Sequence, residues 1–152
     1  MCFHSGLILI HRRSLSDDGK AAELSNKLCE ESAGAISSLL KTYNEQFCSS
    51  LSDPMVLHAA FTSALVHLVL LLQPNIVTYR SALKALRSTK QILLNFAATS
   101  SPASRILNDL QELATKWEIA PANSPTFWNR TSLEPNPVDL TFLDSFAPPL
   151  IG

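Results

Sequence analysis

Along roughly the first 120 positions apolar residues recur at steps of three, four and seven, the period of a helix with one buried side. No stretch sustains the every-second-residue alternation of a half-buried strand. Five helical segments follow from this pattern. The first, about Met1 to His11, is apolar almost throughout and ends in the basic pair His11-Arg12. The second runs from about Lys20 to Tyr43, with Ala21, Leu24, Leu28, Ala35, Leu39 and Tyr43 expected on its core side and the Glu23–Lys27 pair facing solvent. Ser52-Asp53-Pro54 is a helix start, a capping side chain before a proline at the first helical position. The third segment therefore covers Met55 to Leu72 and is stopped by Pro74. Asn75 opens the fourth, to about Ala98, and Ser101-Pro102 opens the fifth, to Ala120. In the fifth, Ala103, Ile106, Leu110, Leu113, Ala114 and Trp117 share one side at 100° per residue.

After Ala120 the pattern stops. Six of the nine prolines lie between Pro121 and Pro149, and no lysine follows Lys116. The expected architecture is all-α: about five helices packed as an irregular bundle over residues 1–120, then an extended or disordered Pro-rich tail over 121–152. In that tail Glu134, Asp139 and Asp144 alternate with Leu133, Val138, Leu140, Phe142, Leu143 and Phe146, and Trp128 lies upstream. Acidic residues that keep aromatic ones wet are the composition of disordered activation segments. The competing expectation is that Trp128 or Phe142 packs back on the helices.

Composition adds a partner to this picture. The chain is 46% hydrophobic and 16% charged, against about 25% charged for an ordinary soluble domain. Some apolar surface is thus expected to serve a neighbour, and a chain that opens inside a helix is expected to have lost one. A net charge of −1 supplies no global attraction to nucleic acid or anionic lipid. Cys2, Cys29 and Cys48 are widely spaced, without a C-x-x-C pair, and read as reduced thiols of an intracellular protein. The apolar run Phe3 to Ile10 lacks the basic start and small-residue cleavage site of a signal peptide, so the sequon Asn129-Arg130-Thr131 carries no meaning here.

Chemistry is sparse. Met55 to Leu72 holds eighteen residues without a formal charge, at the lower edge of a membrane span. His58, Thr62, Ser63 and His67 interrupt it, and a central core helix is the favoured reading over a membrane anchor. His4 and His11, like His58 and His67, are spaced too far apart to chelate one metal within a helix. No nucleophile elbow, H-E-x-x-H or phosphate loop occurs. No catalytic, cofactor-binding or metal residue is assigned, and an enzyme is not expected. Arg80, Lys84, Arg87 and Gln91 form one stripe, read as a solvated face. Lys90 falls among Tyr79, Leu83, Leu86, Leu93 and Ala97, where it is expected to run its stem outward to the water.

An apolar helix ending Leu9-Ile10-His11-Arg12, then Cys29 with Ala33-Gly34-Ala35-Ile36, then a proline-initiated apolar helix, then Leu110-Gln111-Glu112-Leu113-Ala114-Thr115-Lys116-Trp117, form an ordered set. This order resembles the second half of the regulatory domain of fungal zinc-cluster (Zn2Cys6) transcription factors, over about Cys2 to Ala120. The chain departs from that pattern at Arg13, where the family has proline, and the six-cysteine zinc cluster that reads DNA is not in it. The resemblance implies His11, Arg12, Cys29 and Trp117 as family-motif core residues. It also implies a nuclear regulator of transcription that acts through protein partners or the remainder of the same factor. Zinc would belong to the full-length family, not to this chain, and specific DNA binding is not expected of it. Self-association through exposed apolar faces is expected, as is activation through Trp128, Phe142, Leu143 and Phe146. The alternative is a membrane-associated or orphan helical interaction protein anchored by residues 55–72.

Overall fold

The computed structural model describes residues 1–11, 19–47 and 53–128. Among the described residues there are six helices: α1 (Cys2–His11), α2 (Lys20–Phe47), α3 (Pro54–Leu70), α4 (Ile76–Ala97), α5 (Ser101–Lys116) and the single turn α6 (Pro125–Trp128). Among the described residues there is no strand, and the fold is an all-α bundle. Arg12, Cys48, the sequon beginning at Asn129, and Phe142, Leu143 and Phe146 lie outside the described residues.

The helix starts follow from capping chemistry. Asp53 Oδ1 accepts from the Met55 amide at 2.8 Å, with Pro54 in the first turn, and Asn75 Oδ1 accepts from the Val77 amide at 2.9 Å. Each side chain satisfies a donor that the first helical turn leaves without an internal partner.

α3 is the centre of the molecule, because α1, α2, α4 and α5 all pack on it. Buried positions fall all around it, from Val56 and Leu57 through Ala60 and Ala64 to Leu68 and Leu70. That explains its uniformly apolar sequence without a bilayer. Among the described residues no helix is long and apolar enough to cross a membrane. The apolar surface of α3 is instead taken up by its neighbours.

α2 turns a different side inward from the one its leucines suggest. Ala22, Cys29, Ala33, Ile36 and Leu40 are buried, together with Ser25, Ser32 and Ser37, whereas Leu24 and Leu39 are exposed. The true core stripe is offset by about one residue, or 100° of helix rotation. Small side chains on α2 face small side chains on α3, and the Ser63 hydroxyl reaches the Ala33 carbonyl at 3.0 Å. A leucine stripe would hold the helices too far apart for that bond.

α5 ends one residue before Trp117, which caps it and stays exposed, not packed as its position on the apolar stripe suggests. Glu118 has φ of 52°, the left-handed conformation. The Ile119 amide then donates to Ala114 O at 3.0 Å and the Glu118 amide to Thr115 O at 3.1 Å. This is a Schellman closure, which throws Ile119 instead of Trp117 into the core. A side chain in this conformation costs about 1 kcal/mol relative to glycine. Glu118→Gly is therefore expected to raise the unfolding free energy by about 0.5–1 kcal/mol, read from urea midpoints; an unchanged or lower midpoint would count against the motif.

The helical unit does not stop at residue 120. Ile119, Ala122, Phe127 and Trp128 are all buried, and α6 packs on α5. The packed unit therefore runs past the boundary expected at Ala120 and includes Trp128, the last described residue. Proline spacing marked the segment as extended, but its four apolar side chains cover bundle surface that would otherwise be wet.

Candidate interaction surfaces and the buried polar cluster

Where α2, α3 and α4 meet, the core is polar. Ser37 Oγ lies 3.0 Å from Ser63 Oγ, 2.9 Å from His67 Nε2 and 3.4 Å from Thr89 Oγ1, and all four residues are buried. Counting protons sets the direction of these bonds. Ser63 donates its single proton to Ala33 O, so between the two serines Ser37 must donate. With that proton committed, Ser37 can only accept from His67, which places the imidazole proton on Nε2. The result is a one-way chain: His67 Nε2–H to Ser37, Ser37 to Ser63, Ser63 to the Ala33 carbonyl.

This arrangement runs opposite to a serine nucleophile with a histidine base, in which the serine donates to a bare imidazole nitrogen. His67 Nδ1, the lone-pair side, has no hydrogen-bond partner. Burial holds the His67 pKa down at about 4, and the nearby Ala33 carbonyl works weakly in the other direction. The ring is neutral at physiological pH and acts as a structural donor. In the sequence the cluster shows only as three hydroxyls and a histidine on otherwise apolar helix faces: Ser63 and His67 are one turn apart on α3, and Ser37 joins them from α2.

The residues implied by the family resemblance do not form one site. His11 Nδ1 lies 3.1 Å from Ser25 Oγ and ties α1 to α2. Cys29 is a buried core thiol whose pKa is pushed up by burial. Trp117 is an exposed helix cap. Of the two expectations for Trp128, a wet activation residue or one packed back on the helices, the second holds: it is buried, and its Nε1 donates to Ala122 O at 2.7 Å. An indole with both its ring and its donor satisfied inside the bundle is unavailable to a partner.

Lys90 corrects a second expectation. It is 4% exposed and does not snorkel. Its ammonium donates to Phe127 O at 2.7 Å and lies 5.0 Å from the centre of the Phe127 ring. Burial, and then the neighbouring Arg87 charge, lower its pKa. A carbonyl and an aromatic face supply the negative potential that a carboxylate would have given.

Two surface features remain. A cleft of about 340 Å³ opens between the first turns of α3 and α5, lined by Leu57, His58 and Phe61 on one wall and Pro102, Ile106 and Asp109 on the other. Its lining is mainly apolar, with an imidazole and a carboxylate at hand. The other feature is the outward side of α1. Only Ser5 and Ile8 of this helix are buried, while Phe3 is 72% and Ile10 71% exposed, and Cys2 and Leu9 are exposed beside them. No charged side chain occurs between Cys2 and Ile10. Among the described residues, no group of three or more His, Cys, Asp or Glu side chains is placed to hold a metal ion. No family model matches the chain, nor does a curated protein or a solved structure.

Proposed function

We propose that this chain is a helical protein-interaction module, the regulatory, non-DNA-reading portion of a fungal zinc-cluster transcription factor. The observation that carries the interaction reading is α1. Phe3 and Ile10 lie seven residues apart on its outer side and are both more than two-thirds exposed. An uncharged, apolar helix face of this kind is a surface for another helix. The transcriptional part rests on the resemblance of residues 2–120, and it places the protein in the nucleus with its DNA-reading element outside this chain. Activation through the tail falls to Phe142, Leu143 and Phe146, since Trp128 is taken up by the bundle.

The interaction reading predicts a folded but adhesive chain. The isolated protein is expected to elute above monomer size and to brighten a hydrophobic dye. Phe3→Asp with Ile10→Asp is expected to abolish both behaviours while shifting the unfolding free energy by no more than about 0.5 kcal/mol, because neither side chain is in the core. A monodisperse, dye-negative parent chain would defeat the reading. The family part is tested separately: an in-frame Cys-x2-Cys-x6-Cys segment encoded upstream supports it, and a reporter recruited by this chain would show activation that is lost with Phe142→Ala and Phe146→Ala.

A further inference from the structure

The outer side of α4 combines apolar and basic residues in a way nothing above uses. Val77, Arg80 and Lys84 follow one another at helical spacings of three and four, all exposed, with Val77 at 73%. Ile76 and Leu72 extend the apolar end of this strip and are also exposed. From Pro54 to Asn108 the chain carries five basic residues and no carboxylate. After Trp128 the balance reverses, with Glu134, Asp139 and Asp144 against Arg130 alone. Within that stretch Val138-Asp139-Leu140-Thr141-Phe142-Leu143-Asp144-Ser145-Phe146 alternates acidic and large apolar residues, the complement of the strip.

The path of the chain brings the two together. Tyr79 Oη donates to Ala120 O at 3.1 Å, and Lys90 holds Phe127 O at 2.7 Å. The segment between these points is thus fastened along α4, and the chain leaves the described structure beside Lys90. From Lys90 back to Val77 is about 20 Å of helix at 1.5 Å per residue. From Trp128 to Asp139 there are eleven residues, whose root-mean-square span as a flexible chain is about 18 Å. A flexible span of that length would reach from Trp128 to Val77 and Arg80 without stretching.

We propose that the Val77–Arg80–Lys84 strip of α4 is a docking site for the chain's own segment 138–146. Asp139 and Asp144 pair with Arg80 and Lys84, and Phe142 or Leu143 covers Val77 and Ile76. Tethering supplies an effective concentration in the millimolar range, so contacts too weak to bind a free peptide hold in cis. The inference does not need the transcriptional reading; it uses only charge, spacing and chain path. If that reading holds, the same contact withholds Phe142 and Phe146 from activation partners.

The test is chymotryptic cleavage after Phe142 in the full-length chain, at low ionic strength, with fragments identified by mass. Arg80→Glu with Lys84→Glu is expected to speed cleavage about fivefold, the effect of losing two surface ion pairs and the apolar contact they support. Adding Asp139→Arg and Asp144→Arg to that helix variant is expected to restore slow cleavage. Placing the tail pair on the parent helix gives the fourth corner of the cycle and cancels any direct effect on the protease. Unchanged cleavage in the helix variant, or failure of the swapped tail to restore protection, overturns the proposal. Protection that grows with protein concentration also overturns it, since it assigns the strip to another copy's tail.

Discussion

Lowering the pH from 7 to 5 is expected to remove about 2 kcal/mol from the unfolding free energy, and about 3 kcal/mol by pH 4, through His67 alone. The ring ionises at about 4 in the folded chain, against a model value of 6.5. Between these values the unfolded chain binds more protons than the folded one, so stability falls as the solution is acidified. The contribution is complete above pH 6.5, shrinks below it, and is spent once the pH passes below 4. The cause is structural. Protonation would put a charge, and a second N–H donor on Nδ1, into a site where that nitrogen has no acceptor. Urea unfolding at pH 7 and pH 5 measures the effect. His67→Gln is expected to lose stability at pH 7 but to flatten the slope between those values. Equal parent stability at the two pH values would show that the folded ring protonates without resistance.

The second large effect falls on Lys90. Lys90→Met keeps most of the stem's volume and removes the ammonium, so it separates the charge, with its contacts to the Phe127 carbonyl and ring, from the packing of the stem. We expect a loss of about 1–3 kcal/mol, the range for a hydrogen bond to a charged group together with the carbonyl it leaves behind. The loss should be local as well as global. Trp128 emission is expected to shift red as residues 119–128 come away, and amide exchange should quicken there before it does in α3. The opposing consideration is that a buried charge is itself costly, and well-packed apolar replacements of buried ions can be neutral. A methionine variant that matches the parent in both stability and emission would mean that the stem, and not the charge, holds the segment.

How much of this could be read from the residues differs from helix to helix. α3 to α5 were legible because proline or capping residues mark their starts and large aliphatic side chains recur on their core faces, Leu57 and Leu68, Leu86 and Leu93, and Leu110 among them. α2 was located but turned by about one residue. Five of its buried residues are alanine or serine (Ala22, Ser25, Ser32, Ala33 and Ser37), which a reading weighted towards leucine passes over, so Leu24 and Leu39 were expected inside and stand outside. Lys90 was correctly placed among apolar neighbours, but its partner is a main-chain carbonyl, which leaves no trace in a pattern of side chains. That carbonyl belongs to a segment whose prolines suggested a tail, so the misread boundary and the misread lysine are a single error. The polar cluster joins residues 26 to 52 positions apart, and helix periodicity carries no information on which faces meet.

The one-way donor chain from His67 to Ala33 also limits how α2 and α3 can slide against each other. Around Ser63, α3 offers the buried Ala59, Ala60 and Ala64, and the facing turn of α2 offers the buried Ala33 and Ile36. Alanine against alanine is nearly indifferent to position: a slip of one turn exchanges one methyl contact for another. The hydroxyl is not indifferent, because a displaced Ser63 would face a hydrocarbon wall and strand Ser37 and His67 with it. A single serine thus serves as the index mark that selects one axial setting from several of nearly equal packing, in the manner of a lone polar residue in a coiled-coil seam.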